Sequence, residues 1–190
     1  MTTTTSDASH HHDRPGPATN LVIARGVTSL VLLSLGIATV VRARAVRAGE
    51  ARISALLIGA LTHTETYVWR ARGSFYWGIG SHRARGLHIS PACSLAYVAG
   101  PLLVVFGLLL LLGRLPQRQV VAGVLAGIGL MVVVNTVRMV LIAESINLFD
   151  SPSAFWWAHI VAGSLLAVVG NVVALALALR IAFRNRRAEP

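Results

Sequence analysis

The sequence contains no lysine, a single cysteine and few charged residues of either sign. Charged side chains make up 13% of the 190 residues and hydrophobic ones 55%, whereas a soluble domain carries about 25% charged residues. This composition excludes an ordinary soluble domain and predicts an integral membrane protein. A single cysteine also excludes an intramolecular disulfide.

The basic residues are all arginines, and they give the chain a formal net charge of +10. Many of them flank apolar segments, as Arg42, Arg44 and Arg47 do, which is the pattern of a membrane edge. No aromatic-basic surface and no base-reading motif accompanies them, so we predict contact with membrane lipid and no nucleic-acid partner.

Five apolar stretches approach or exceed the roughly 20 residues that a membrane helix needs. We therefore predict an all-α fold, a polytopic membrane bundle of about five helices at 21–183. A polar, disordered tail at 1–20 precedes the bundle, and a basic cytoplasmic tail at 184–190 follows it. The predicted spans are 21–41, 53–69, 94–112, 120–141 and 156–182.

The arginines also suggest an orientation for these spans. With five alternating spans, the arginine-rich first and third connections lie on the same side as the arginines after the last span. Because such segments stay in the cytoplasm, we predict an outer N-terminus and a cytoplasmic C-terminus. The second connection, at 70–93, carries four arginines and argues against this orientation.

Three of the spans each carry one reactive or charged side chain near one end. Cys93 begins the third span, Arg138 lies near the end of the fourth, and His159 lies near the start of the fifth. At about 1.5 Å per residue, each lies about 27 to 31 Å from the opposite end of its helix. Since adjacent spans run in opposite directions, we expect all three at one depth, on the external side.

These residue types suit acyl transfer from an amide. A cysteine near a helix N-terminus is favoured as thiolate, an arginine stabilises an oxyanion, and a histidine moves protons to and from the reacting groups. Other roles also fit: Cys93 as inert packing, Arg138 reaching the surface or pairing with Glu144, and His159 as an interface anchor.

At these positions the chain resembles the exosortase/archaeosortase family of membrane-embedded cysteine transpeptidases. The matching motifs are Cys93–Ser94, the Asn135–Arg138 segment, and His159 with Gly163 four residues later. Leu95 stands where the family usually has glycine. Larger relatives have more membrane helices, so the chain resembles a short core version.

The resemblance implies that Cys93 is the nucleophile, His159 the acid and base, and Arg138 the oxyanion or thiolate stabiliser, with Ser94, Asn135 and Gly163 in support. It implies an active site on the outer face of a bacterial inner membrane. The implied substrates are exported proteins that end in a short motif, a hydrophobic helix and a basic tail. The implied reaction cleaves this sorting signal through a thioester, and neither a metal nor an organic cofactor is implied.

Further polar and aromatic residues are weaker candidates. Phe75–Trp77 is expected at the membrane interface or along a substrate groove, and the GxxxG pattern at Gly123–Gly127 predicts close helix packing within the bundle. Polar residues around the predicted end of the second span are candidates for substrate contact: His63, Glu65, Arg70 and Arg72.

A different class of function also fits the sequence. In a non-enzymatic multi-pass subunit or a transporter component, Arg138 and His159 would pair with partner helices and Cys93 would have no chemical role. The sequence shows no broken-helix pair and no inverted repeat, which disfavours a transporter.

Overall fold

A computed structural model describes residues 17–82, 84–113, 115–149, 151, 153 and 156–184. Within them, three helices are long and apolar enough to cross a membrane, judged by length and composition, and a fourth is shorter but apolar. The predicted class, an all-α membrane protein, is confirmed. The α-helices are α1 (Pro17–Val41), α2 (Ala43–Thr62), α3 (Ala96–Leu111), α4 (Gln117–Phe149) and α5 (Gly163–Ala182), and a π-helix (Trp157–Ala162) directly precedes α5.

Helices α1 and α3 run antiparallel, at a spacing that only small residues allow. A Cβ added to Gly36 would lie 2.7 Å from the carbonyl oxygen of Gly100. Further along, the buried Ser29 hydroxyl donates a 2.6 Å hydrogen bond to the carbonyl of Gly107. Interfaces of this kind, with small residues and a polar tether, are typical of helices packed in lipid.

Arg25 fixes the end of this pair that lies farthest from Cys93. Its Nε donates to the carbonyl of Leu110 at 2.8 Å, and its Nη2 donates to the carbonyl of Leu115 at 3.2 Å. The guanidinium thus supplies donors at the end of α3, where carbonyls lack helical partners and the helix dipole favours a cation. Gln117, at the start of α4, donates to the Thr28 hydroxyl and joins α4 to the same end.

Helices α4 and α5 form a second antiparallel pair. A Cβ on Gly123 would lie 2.6 Å from the carbonyl oxygen of Ala178, and one on Gly170 would meet a Val134 methyl. Gly127 also faces Ala178. The GxxxG segment therefore packs within the chain, as its sequence predicted.

The segment predicted as the second span, 53–69, is not one helix. Helix α2 ends at Thr62, and a strand begins at Thr66. Helix α2 also carries Arg44, Arg47, Glu50 and Arg52, and it is not among the helices long and apolar enough to cross a membrane. It lies instead over the Cys93 end of the bundle, because Glu50 binds the residues at the start of α3.

With α2 outside the bundle, the chain crosses it with α1, α3, α4 and α5. Leu21 of α1, Arg118 of α4 and Arg184 after α5 line one cavity, so the start of α1 and the end of α5 lie at the same end. The sequence analysis expected these two ends on opposite sides because it counted 53–69 as a fifth span, whereas the structure has them at one end of the bundle.

A small sheet packs on α2 in what we call the cap, residues 43–95 together with the last third of α4. The sheet is antiparallel in the order β1-β2-β3, and β1 pairs Tyr67 with Tyr76 of β2. Phe75 and Trp77 are buried in the cap, so they do not anchor the chain at the membrane interface. The strands are β1 (Thr66–Trp69), β2 (Ser74–Trp77) and β3 (Arg85–His88).

Helix α4 connects the cap to the membrane bundle. Its 33 residues give a length of about 50 Å, well beyond the roughly 30 Å hydrocarbon core. Its first part packs in the bundle core, through Val120, Val124 and Met131. Its last part packs in a separate cap core, through Met139 and Ile142, and Cys93 belongs to this second core. The boundary between the two cores thus falls near Arg138.

Several predicted features fall partly or wholly outside the described residues. Helix α1 begins at Pro17, so the predicted polar tail at 1–20 overlaps the helix at 17–20. Residues 1–16 and 185–190, which contain most of the two predicted tails, lie outside the described part of the chain.

The α4–α5 interface leads to a first prediction. Replacing Gly123 by valine forces a side chain against the α5 backbone, and overpacking of this kind costs about 1 to 3 kcal/mol. We expect Gly123→Val to lower the thermal unfolding temperature of the purified protein in detergent by several degrees. Gly129 lies on the same helix and a Cβ there meets nothing within 4 Å, so Gly129→Val is the matched control. Equal effects of the two substitutions would contradict the close α4–α5 packing.

Candidate active site

Cys93 lies in a short 3₁₀ turn just before α3. Proline at the first position of this turn, Pro91–Cys93, suits its fixed backbone, and the Cys93 N–H bonds to the carbonyl of Ser90 at 3.0 Å. The same Ser90 donates its hydroxyl to Cys93 Sγ at 3.2 Å. The thiol is buried, with 7% of the residue exposed. The sequence analysis missed Ser90, although its place three residues before a cysteine, next to a proline, suits such a turn.

Arg138 approaches the same sulfur from α4. It is 5% exposed, and its Nη2 donates to Cys93 Sγ at 3.4 Å. Its Nε has no hydrogen-bond partner among the described residues. Glu144, the alternative partner, also has a buried oxygen, Oε1, without a partner in this part of the chain. The structure therefore places Arg138 against Cys93 and leaves one guanidinium donor available.

Glu50 joins the segments on either side of this pair, and the sequence analysis did not select it. Its Oε2 accepts from the Ser94 hydroxyl at 3.0 Å, and its Oε1 accepts from the Leu95 N–H at 2.7 Å. Its Oε1 also accepts from Asn135 Nδ2 at 2.9 Å. A signal was available, because Glu50 is the one carboxylate among the arginines of 42–52.

The surroundings of Glu50 act on its charge in opposite directions. The pKa of its carboxyl is raised because burial is the largest effect, although the donors at Leu95 and Ser94, the charge of Arg47 and the donor at Asn135 act to lower it. A buried carboxylate is costly unless hydrogen bonds satisfy it. The three donors are thus what makes this position tolerable for an acid.

A small cavity of about 40 Å³ opens beside Cys93, bordered by Ser94, Asn135 and Arg138. It is large enough for a few water molecules at most. Asn171, a polar residue in the middle of α5, and Val98 of α3 also border it. The same two residues border an apolar groove of about 500 Å³ between α3 and α5, so the cavity and the groove adjoin.

His159 lies in the π-helix before α5, a conformation that occurs often at functional sites. It is half-buried and does not border the Cys93 cavity. It does lie within electrostatic range of Arg138. Gly163, the first residue of α5, is buried. The structure thus joins Cys93 to Arg138 directly and places His159 near Arg138.

The candidates for substrate contact lie elsewhere in the cap. His63 ends α2 between two threonines that share a cavity with Asn147, and Asn147 is nine residues, or about 14 Å, beyond Arg138 on α4. The Arg72 guanidinium stacks over the Trp69 ring at 4.5 Å. The residues bordering the Cys93 cavity include none of His63, Glu65, Arg70 and Arg72.

Comparison with known proteins identifies the family. Searches of curated proteins and of solved structures found no significant match. The sequence model of the transmembrane exosortase family matches residues 79–177, just over half of the chain. This range contains Cys93, Arg138 and His159, and it excludes Glu50. The chain therefore belongs to the transmembrane exosortase family.

Proposed function

We propose that this exosortase-type membrane protein is a cysteine transpeptidase or peptidase that cleaves C-terminal sorting signals from exported proteins. One observation carries the proposal: a buried arginine donates to the sulfur of the chain's single cysteine and keeps a second donor without a partner. An inert cysteine needs neither a hydroxyl nor a guanidinium directed at its sulfur.

The contacts at Cys93 suit a thiolate nucleophile. The guanidinium of Arg138 is always charged, and a nearby cation favours the thiolate form. Ser90 adds a second donor to the same sulfur. Hydrogen bonds to a charged acceptor are roughly twice as strong as neutral ones, so both contacts strengthen when the proton leaves.

The proposed reaction uses the positions of Cys93 and Arg138. Cys93 Sγ attacks the scissile carbonyl carbon, and the carbonyl oxygen becomes an oxyanion that Arg138 Nε, the donor without a partner, stabilises. The C–N bond then breaks, the leaving amine takes a proton, and a thioester remains on Cys93. An amine or water attacks this thioester, the C–S bond breaks, and the thiolate is restored.

His159 is proposed to handle the protons. As an imidazole it takes the proton of the Cys93 thiol, gives it to the leaving amine, and then takes one from the attacking amine or water. It lies near Arg138, which contacts Cys93. Catalytic contacts are often long without substrate and shorten in the complex.

The apolar groove supports a substrate that ends in a hydrophobic helix. The Cys93 cavity holds only a few waters, so only the reacting peptide bond fits there. The adjoining groove has a volume within the range of binding sites for ligands. Pro101, Val105, Val172 and Leu175 are among its apolar lining residues. A helix lying in this groove places the residues that precede it at the Cys93 cavity.

We propose that the Cys93 end of the bundle faces the outside of a bacterial inner membrane. The start of α1 and the end of α5 then lie in the cytoplasm. The family resemblance supports this side. The arginines do not indicate an orientation, because they occur at both ends of the bundle. The connection at 42–95 is also nearly as long as the roughly 60 residues beyond which the charge rule weakens. Labelling of Cys93 from outside the cell tests the assignment.

Loss of the nucleophile should leave sorting signals uncut. In cells that depend on this protein, we expect Cys93→Ala to retain the C-terminal helix and basic tail on surface proteins that lose them in wild-type cells. Mass spectrometry of membrane and surface fractions detects the retained C-terminal peptides, so the substrates need not be known beforehand.

Cys93→Ser is the companion variant, since its hydroxyl leaves Arg138 an acceptor and preserves the shape of the site. We expect both variants at wild-type abundance in the membrane, with the same retained peptides. Identical C-terminal peptides in the wild type and in both variants would exclude the enzyme and favour a non-enzymatic subunit.

Photocrosslinking tests the groove. In the Cys93→Ala background, a photoreactive amino acid at Leu175, in the groove, should capture the uncut substrate. The same probe at Val173, on the same helix and outside the groove, should not. Equal capture at both positions would show that the groove does not select the substrate helix.

A further inference from the structure

Glu50 lies outside the segment that matches the family, in α2, which is not among the described helices long and apolar enough to span a membrane. It nevertheless reaches the residues next to both Cys93 and Arg138. Ser94 and Leu95 directly follow Cys93, and Asn135 lies three residues before Arg138 on the same helix. We propose that Glu50 is a positioning residue that sets the distance between the Cys93 sulfur and the Arg138 guanidinium.

Glu50 binds at the start of α3. The first N–H groups of a helix have no partner within it, and a carboxylate near them interacts favourably with the helix dipole. Glu50 takes the Leu95 N–H, and the Ser94 hydroxyl that it holds also accepts from the Ala96 N–H at 3.3 Å. The turn that carries Cys93 is thus fixed from α2.

Glu50 also contacts α4. The contact that the proposed reaction uses is the one at 3.4 Å between Arg138 Nη2 on α4 and Cys93 Sγ in the turn before α3. Asn135 and Arg138 are three residues apart and therefore share one face of α4. Because one oxygen of Glu50, Oε1, accepts from both Leu95 and Asn135, α3 and α4 are held at a fixed separation one turn from the reacting pair.

The inference concerns the site of the proposed function, and its test does not depend on a substrate. The probe is N-ethylmaleimide, which reacts with Cys93 alone because the chain has no other cysteine. If Glu50 holds Arg138 against the sulfur, Glu50→Ala displaces the guanidinium that stabilises the thiolate. Alkylation at pH 7 is then slower. A misplacement of about 1 Å can cost up to about 100-fold in rate, and we expect a decrease of about tenfold or more.

The direction of the change separates positioning from a merely structural role. A loosened fold exposes the buried thiol and speeds alkylation, whereas a displaced guanidinium slows it. Glu50→Gln keeps the length and can retain all three hydrogen bonds, because the Ser94 hydroxyl can accept as well as donate. We therefore expect Glu50→Gln to stay within about threefold of the wild type.

A double variant and a matched control complete the test. Arg138→Gln should slow alkylation by itself, and adding Glu50→Ala to it should have little further effect, since residues that act through one contact are non-additive. Glu144→Gln makes the same acid-to-amide change as Glu50→Gln, but at a residue of α4 outside this network. Cys93 in this variant should react at the wild-type rate.

Faster or unchanged alkylation in Glu50→Ala, or a full additional decrease in the double variant, would overturn the positioning role. These outcomes are distinct from a failure of the proposed function. Loss of the function would appear as unchanged C-terminal peptides in Cys93→Ala, whatever the alkylation rates are.

Discussion

The buried guanidinium of Arg138 is the constraint on which the rest of this structure depends. An arginine at the edge of a membrane bundle stays charged, and an uncompensated buried charge costs several kcal/mol. The acceptor that the structure provides is the Cys93 sulfur. In the proposed mechanism a thiolate there supplies the missing counter-charge, so the contact that makes the arginine tolerable would also serve the nucleophile.

This contact lies where two cores meet. Below it, the paired helices α1/α3 and α4/α5 pack through glycines and alanines. Above it, α2 and the sheet form the cap core with the end of α4. A long α4 that belongs to both cores fixes Arg138 at their boundary, and Glu50 supplies a tie from the cap to α3 and α4. The geometry of the site therefore depends on how the two cores join more than on either core alone.

The sequence predicted the parts of this arrangement that follow from hydropathy and helix length. Apolar length located α1, α3, α4 and α5, and the rise per residue placed Cys93 and Arg138 at one depth. Composition could not reveal that α2 lies over the Cys93 end of the bundle. Its second half is apolar, so it reads like a span, while Glu50 in its first half binds Ser94, Leu95 and Asn135. The three strands were not predicted, because each has only four residues and runs this short carry too little periodicity to outweigh a helical reading. Glu50 was missed because its partners lie 44, 45 and 85 residues away, a distance that no local pattern encodes.

The most direct test of the central claim is the reaction of Cys93 with membrane-impermeant methanethiosulfonates in intact cells. One reagent should be cationic and one anionic, so that attraction of the reagent by Arg138 is separated from activation of the sulfur. Hydrogen bonds to charged groups contribute about 1.5 to 3 kcal/mol, which corresponds to about tenfold or more in a reaction rate. We predict labelling from outside the cell at pH 7, about tenfold faster in the wild type than in Arg138→Gln with both reagents. Labelling only after permeabilisation would contradict the outward-facing site, and equal rates in the two proteins would contradict the thiolate–guanidinium pair.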